Sequence, residues 1–260
     1  MPKGEFQIPI YLDYHATTPV DPRVLEVMLP YFTKNFGNPA SRSHPFGWKA
    51  NEAVEIARKQ VADLLKVIPQ DIFFTSGASE GLNMAIKGLA ESLSYKGKHI
   101  ISFTTEHHAV LDPLSWLSSK GYDITLLPVN KDGMPDIDQL RSSVRKDTIM
   151  VIAMWANNET GVINDMNVIG EVCRDKGVPL VCDATQAVGK IEVHPNDSGI
   201  DILILSAHKM YGPKGAGAVY IGRKGKKLKP EPLIHGGGHE EGFRSGTLNV
   251  PAIVGLGAAA

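Results

Sequence analysis

Four side chains stand where they could do chemistry together, each at the point where an apolar run gives way to a polar turn. The run Ile202 to Gly217 (ILILSAHKMYGPKGAG) carries Ser206, Ala207, His208 and Lys209 at the end of a stretch rich in Ile and Leu. Such a stretch reads as a fully buried strand. A lysine delivered there pairs with a carboxylate, condenses as a neutral amine with an aldehyde, or simply leaves the core for solvent. The run Pro179 to Cys182 leads straight into Asp183, with Gln186 three residues on. A carboxylate at the end of an apolar strand needs a cation, either an arginine from elsewhere or a protonated ring nitrogen. At about 4 Å and an effective dielectric of about 20, such a pair is worth roughly 4 kcal/mol.

The other two positions follow the same logic. Ser76-Gly77-Ala78-Ser79-Glu80-Gly81 comes after the apolar run Ile72 to Thr75 and opens a helix. Free backbone N–H groups and the helix dipole suit an anion there, although Ser79 also reads as an ordinary helix cap. The dipole supplies at most about 2 kcal/mol, so a phosphate dianion needs further donors. Ser206, His208 and the later Thr247 are the candidates. Thr104-Thr105-Glu106-His107-His108 follows His99 to Phe103. One imidazole in that turn could stack on a ring and move protons near neutral pH, or be purely structural. Adjacent histidines do not share a helix face, so no metal pair is expected. Asn157 and Asn158 end the run Thr148 to Met154, and read either as ligand hydrogen-bonders or as turn residues. Together Asp183, Lys209, Ser79 and His107 fit pyridoxal phosphate: carboxylate for the ring nitrogen, amine for the aldehyde, helix end for the phosphate, imidazole for the ring face.

The elements that must hold these residues alternate along the chain. The pattern predicts strands over 8–13, 72–75, 99–103, 124–128, 148–154, 179–183 and 201–205. It predicts helices from Pro22 through Phe32, and over 48–65, 80–94, 110–120, 137–144 and 168–176, with a last helix beginning at Pro251. Gly37 to Gly47 reads as a Gly/Pro-rich loop, and Arg223 to Lys229 as a solvated basic turn. Alternating strands and helices imply an α/β fold, a mainly parallel sheet covered on both faces in three α/β/α layers. Ligands in such sheets bind beyond the carboxyl ends of the strands, where the four residues stand.

Composition sets bounds on partners. The 260 residues suit one large α/β domain. Lys plus Arg (27) nearly cancels Asp plus Glu (28), so no electrostatic footprint for nucleic acid or an anionic membrane is expected. The start of the sequence lacks an apolar core of signal-peptide length, and no apolar run is long enough to span a bilayer. Cys173 and Cys182, in a helix pattern and a buried strand, read as reduced thiols in a cytoplasmic compartment.

Several segments resemble the class V, fold-type I pyridoxal phosphate enzymes, and within them the cysteine desulfurases. They are YLDYHATTPVDPRV (11–24), FGNPASRSH (36–44), FTSGASEGLNMAIKG (74–88), TEHHAVLD (105–112), NNETGV (157–162), DATQAVGK (183–190), SAHKMYGPKGAGA (206–218) and HGGGHEEGFRSGT (235–247). The resemblance implies that Lys209 holds the cofactor as a Schiff base, that Asp183 pairs with the ring nitrogen and that His107 stacks on the ring and relays protons. It implies that Gln186 and Asn158 bond polar groups around the ring, that Ala78, Ser79, Ser206, Ala207 and His208 surround the phosphate, and that Thr247 reaches the neighbouring subunit's phosphate in a homodimer. Ser79 stands where many relatives have Thr, and Ala207 where Gly is common. The implied activity is a sulfurtransferase reaction that removes sulfur from L-cysteine, leaving L-alanine and an enzyme persulfide for an iron–sulfur scaffold or other acceptor. The implied organisation is an N-terminal arm over residues 1–15, a pyridoxal phosphate-binding large domain over 16–260, and a C-terminal small domain outside these residues that carries the catalytic cysteine. Neither Cys173 nor Cys182 matches that nucleophile. One rival comes from Gly77-Ala78-Ser79-Glu80-Gly81, which fits the G-x-S-x-G elbow of serine hydrolases, with His235-Gly236-Gly237-Gly238 as an oxyanion loop in the wrong chain order. The other is a cofactor-binding chain that does not turn over.

Overall fold

The computed structural model describes residues 9–222 and 228–260. Asp21 caps α1 (Pro22–Met28) by accepting the Arg23 N–H, and α2 (Pro30–Thr33) follows at once. The single helix expected through Phe32 is split because Pro30 has no N–H to continue the first ladder. Pro45 opens α3 (Pro45–Leu65), three residues before the expected start, and Lys66 ends it in the left-handed region at φ 55°.

From there strands and helices alternate: β1 (Ile72–Thr75), α4 (Ala78–Ser92), β2 (His99–Phe103), α5 (His108–Ser118), β3 (Asp123–Leu127), α6 (Ile137–Ser143), β4 (Thr148–Met154), α7 (Met166–Lys176), β5 (Leu180–Asp183) and β6 (Ile202–Ser206). A strand the sequence pattern did not reveal, β7 (Gly217–Ile221), and α8 (Val250–Ala259) complete the set. Residues 9–13 form no strand, and Ile8 lies outside the described residues. Most of the basic run, Arg223 to Lys227, also lies outside them.

The sheet order is β1-β7-β6-β5-β4-β2-β3. All neighbouring pairs from β6 to β3 are parallel, while β7 lies antiparallel to both β1 and β6. Alternation along the strands divides the core between the two faces. Phe74, Ile101, Val151, Leu180, Leu203 and Tyr220 pack with α3, α7 and α8, while Phe73, Ile100, Ile152, Val181, Ile204 and Val219 pack with α4 and α5. The architecture is therefore the expected α/β/α sandwich around a mainly parallel sheet.

Two local features shape the end of the sheet that matters for chemistry. Gly81 brings α4 against the sheet, since a Cβ there would stand 2.8 Å from Val219 Cγ2 and 3.0 Å from Ile204 Cγ2. The ladder between β2 and β4 ends at Ile101 and Val151, so the two strands part toward their carboxyl ends. Among the described residues no helix is long and apolar enough to cross a membrane, and no cluster of His, Cys, Asp and Glu is arranged to hold a metal ion.

Candidate active site

The parting strands and the turns that follow them enclose a cavity of about 440 Å³. Its walls include Ala78, Ser79, His107, Asn158, Asp183, Gln186, Ser206, His208 and Lys209, nine of the positions singled out in the sequence.

Lys209 lies in a short 3-10 turn (Ala207–Lys209) directly after β6. Its ammonium donates to the backbone carbonyls of His15 and, at 2.9 Å, Ala16. Burial holds its pKa below the usual lysine range, opposed by the charges of Asp183, Asp13 and Glu159. Asp183 ends β5 with 6% of its surface exposed, and its Oδ1 accepts the Thr185 N–H at 3.0 Å. Burial pushes the Asp183 carboxyl up, against the pull of the Thr185 hydrogen bonds, His107 and Lys209.

His107 caps α5, and its Nδ1 accepts the Ala109 N–H at 3.0 Å. In the neutral ring the proton therefore sits on Nε2, the nitrogen not used by the cap. The start of α4 is different: Gly77 occupies the cap position at φ 149°, and no side chain caps the helix. The hydroxyl of Ser79 is thus not spent on capping, and the backbone N–H groups of Ala78 and Ser79, which no cap side chain satisfies, have the chemistry to take an anion. Glu80 accepts the Ser76 N–H at 2.9 Å and pairs with Arg244 at 2.8 Å. Burial opposes the Glu80 charge, but Arg244 and Ser76 together hold its pKa below the usual range.

Gln186 donates from Nε2 to the His15 carbonyl at 2.8 Å and accepts from Lys190 through Oε1. With Lys209 it clamps the His15–Ala16 backbone over the cavity. The two asparagines separate in role. Asn157 is buried turn chemistry, donating to Thr105 O at 3.0 Å and accepting from the Glu159 and Thr160 N–H groups at 2.9 Å. Asn158 faces the cavity and bonds Glu159 at 2.6 Å. His208 shares a hydrogen bond of 3.1 Å with the Thr17 hydroxyl.

Two expected positions stand apart from the cavity walls. Ala207 is fully buried, its N–H is donated to Ala216 O at 3.0 Å, and its Cβ lies where Gly212 passes. Thr247 is exposed on the loop after Arg244, and neither residue lines the cavity. Conversely, Lys214 lines the cavity unannounced, because it lies in a Gly/Pro-rich turn and not at a strand end. The hydrolase alternative fails on geometry: Ser79 and the Gly237-Gly238 segment line different cavities.

The donor set suits pyridoxal phosphate on its own terms. A buried carboxyl pushed up by desolvation gains from a cationic ring nitrogen, a lysine with lowered pKa is a ready carbonyl nucleophile, and an uncapped helix start takes a phosphate.

The chain is 54% identical over 254 residues to the cysteine desulfurase IscS of Anaeromyxobacter sp. (strain Fw109-5), covering 98% of this chain and 63% of that protein. It is 53% identical over 251 residues to the cysteine desulfurase IscS of Neisseria meningitidis serogroup C (strain FAM18), covering 96% of this chain and 62% of the relative. The chain thus spans just under two thirds of the length of these curated relatives. Among solved structures it superposes on a NifS-like protein with a TM-score of 0.93 at 42% identity, covering 97% of this chain and 68% of that one. A structure described as SspA in complex with cysteine matches with a TM-score of 0.92 at 41% identity, covering 96% and 71%. With the aminotransferase class-V profile matching residues 10–260, the chain belongs to the class-V aminotransferase family.

Proposed function

We propose that this chain forms the cofactor-binding part of a pyridoxal phosphate-dependent cysteine desulfurase. The complete protein would take sulfur from L-cysteine, leave L-alanine and hand the sulfur on as a persulfide. The observation that carries the reading is that Lys209 and the buried Asp183, at the ends of the adjacent parallel strands β6 and β5, line one cavity. The reaction and the substrate are those of the similar cysteine desulfurases.

Bound pyridoxal phosphate supplies an electron sink for the charge left when a proton departs from the substrate's α-carbon. The chain's residues do the rest. Lys209 Nζ would hold the cofactor's aldehyde carbon and, once released, would be the base placed to accept the α-proton. It must be neutral to do so, and its lowered pKa favours that form. Asp183 would hold the ring nitrogen in its cationic state, His107 Nε2 would hold a proton beside the reacting groups, and the first turn of α4 with Ser206 and His208 would receive the phosphate. Asn158 and Gln186 offer hydrogen bonds around the ring.

Sulfur transfer also needs an exposed thiolate. Cys173 and Cys182 are both buried, and burial, with Asp183 and Glu106 adding to it, pushes the Cys182 thiol far above its ordinary range. The sulfur-accepting cysteine therefore belongs to a part of the complete protein outside these residues, as does the small domain that follows the large domain of residues 16–260. The proposal extends to a cytoplasmic homodimer in which Thr247 reaches the partner's phosphate, and to an iron–sulfur scaffold or similar acceptor of the sulfur. Incubating the complete protein with L-cysteine, a reductant and pyridoxal phosphate tests the reaction. L-alanine and sulfide are expected in equal amounts, with Asp183→Asn retaining cofactor but forming no alanine. Absence of alanine from the unsubstituted protein, or full turnover by Asp183→Asn, contradicts the assignment.

A further inference from the structure

One buried acid takes no part in the chemistry above. Glu106 immediately precedes His107, is 5% exposed, and reaches out of the turn after β2 to β4. Its Oε1 accepts the Met154 N–H at 2.7 Å, while Oε2 makes no hydrogen bond among the described residues.

The reason for this reach lies in the sheet. β2 and β4 stop pairing after Ile101 and Val151, so the last residues of β4 lose strand partners on that side. Side chains replace them. The Ser102 hydroxyl donates to Ile152 O at 3.2 Å, and Glu106 takes the N–H of Met154, a residue of the cavity wall. On its other side β4 remains in register, with the Trp155 N–H bonded to Asp183 O at 2.9 Å. A second tether runs parallel to the first, from Asn157 Nδ2 to Thr105 O at 3.0 Å. The Thr104–His107 turn is thus tied twice to the end of β4 and the turn that follows it, and His107 leaves that turn as the cap of α5.

We propose that Glu106 is a positioning residue, a carboxyl that stands in for the lost strand partner at the parting of β2 and β4 and thereby sets where the His107 imidazole stands in the cavity. The proposal rests on the reading of the cavity as a pyridoxal phosphate site. An acid can fill this place without adding charge. Burial pushes its carboxyl well above the usual range, the Met154 N–H opposes this, and the Asp183 carboxylate beside it pushes the same way as burial. Burial thus favours the neutral form of Glu106, while Asp183 lines the cavity. In the neutral acid Oε1 accepts and Oε2 carries the proton, a pattern that a glutamine reproduces and a leucine of similar size does not.

The test compares Glu106→Leu with Glu106→Gln in the complete holoenzyme. Both variants should keep the cofactor's visible absorbance, because Lys209 and Asp183 are untouched. Glu106→Leu should lower kcat by about tenfold or more with KM for cysteine changed less than about threefold, the signature of a misplaced proton-transfer group. Its crystal structure should show the Thr104–His107 turn shifted from β4. Glu106→Gln should restore kcat to within about threefold of the unsubstituted enzyme, with the turn in place. Unchanged kcat and an unmoved His107 in Glu106→Leu would overturn the proposal, as would a Glu106→Gln variant as impaired as Glu106→Leu. If the unsubstituted protein takes up no cofactor, the proposed function falls, while the position of His107 in the two crystal structures still decides the role of Glu106.

Discussion

Removing the carboxylate of Glu240 should be among the most damaging single changes outside the cavity. Arg58 of α3 and Glu240 form a bidentate pair, with both N–O distances 2.9 Å and side-chain exposures of 11% and 2%. The same carboxylate accepts the Phe74 N–H at 2.7 Å, so it also serves the edge strand β1 as a substitute neighbour. Burial works against the Arg58 charge, and Glu240, helped by the more exposed Glu55, overcomes it. Glu240→Ala removes the bidentate partner of this buried guanidinium, leaving it the Ile72 carbonyl and the more exposed Glu55, and deprives a strand N–H of its acceptor, which places the loss at about 3–5 kcal/mol. The N–H accounts for roughly 1–3 kcal/mol of that. Glu240 sits at φ 51°, and alanine inherits the same backbone, so the comparison isolates the side chain. The double variant Arg58→Met/Glu240→Leu removes both charges and should be more stable than Glu240→Ala alone, because what remains unpaired is neutral backbone of β1. Equilibrium urea unfolding of the three proteins measures these differences. A loss below about 1 kcal/mol for Glu240→Ala, or a double variant less stable than the single one, would refute the reasoning.

Gly81→Ala should destabilise the chain by about 1–3 kcal/mol despite alanine's better helix propensity, because its methyl would press on Val219 and Ile204 from inside α4; a higher unfolding midpoint for the variant contradicts this. Because burial favours the neutral amine of Lys209, its condensation with pyridoxal phosphate should reach half its maximal rate below pH 10.5, the ordinary lysine value. The rate should fall as pH drops through the lowered pKa, and a stopped-flow profile centred at or above 10.5 would remove the basis for a pre-tuned lysine.

Much of the sheet is legible in the sequence because its strands are apolar on both faces. β1, β2 and β4 run over the residues their composition marks, each buried end to end. β7 escapes because it follows the Gly/Pro-rich turn around Lys214 and because its antiparallel place between β1 and β6 leaves no periodic trace. Helices α4 and α5 both begin two residues early. One is opened by Gly77 without a side-chain cap and the other by His107, neither of which carries the usual Ser, Thr, Asp or Asn signal. The cavity itself was readable from its strand ends, since the residues after parallel strands share one edge of the sheet. Glu106 bonding Met154 across 48 positions, and Glu240 bonding Phe74 across 166, were not readable. Such pairings depend on where strands part and where a loop returns, which no local pattern encodes. Ala207 shows the converse: motif resemblance places it at the phosphate, but its N–H is committed to Ala216.

The most direct measurement is the visible absorption spectrum of the purified chain after incubation with pyridoxal phosphate and removal of excess. A Schiff base to Lys209 predicts a new band that persists through gel filtration, disappears on borohydride reduction, and is lacking in Lys209→Ala. The same band in Lys209→Ala, or no retained band in the unsubstituted chain, contradicts the assignment of Lys209 as the residue around which the site is built.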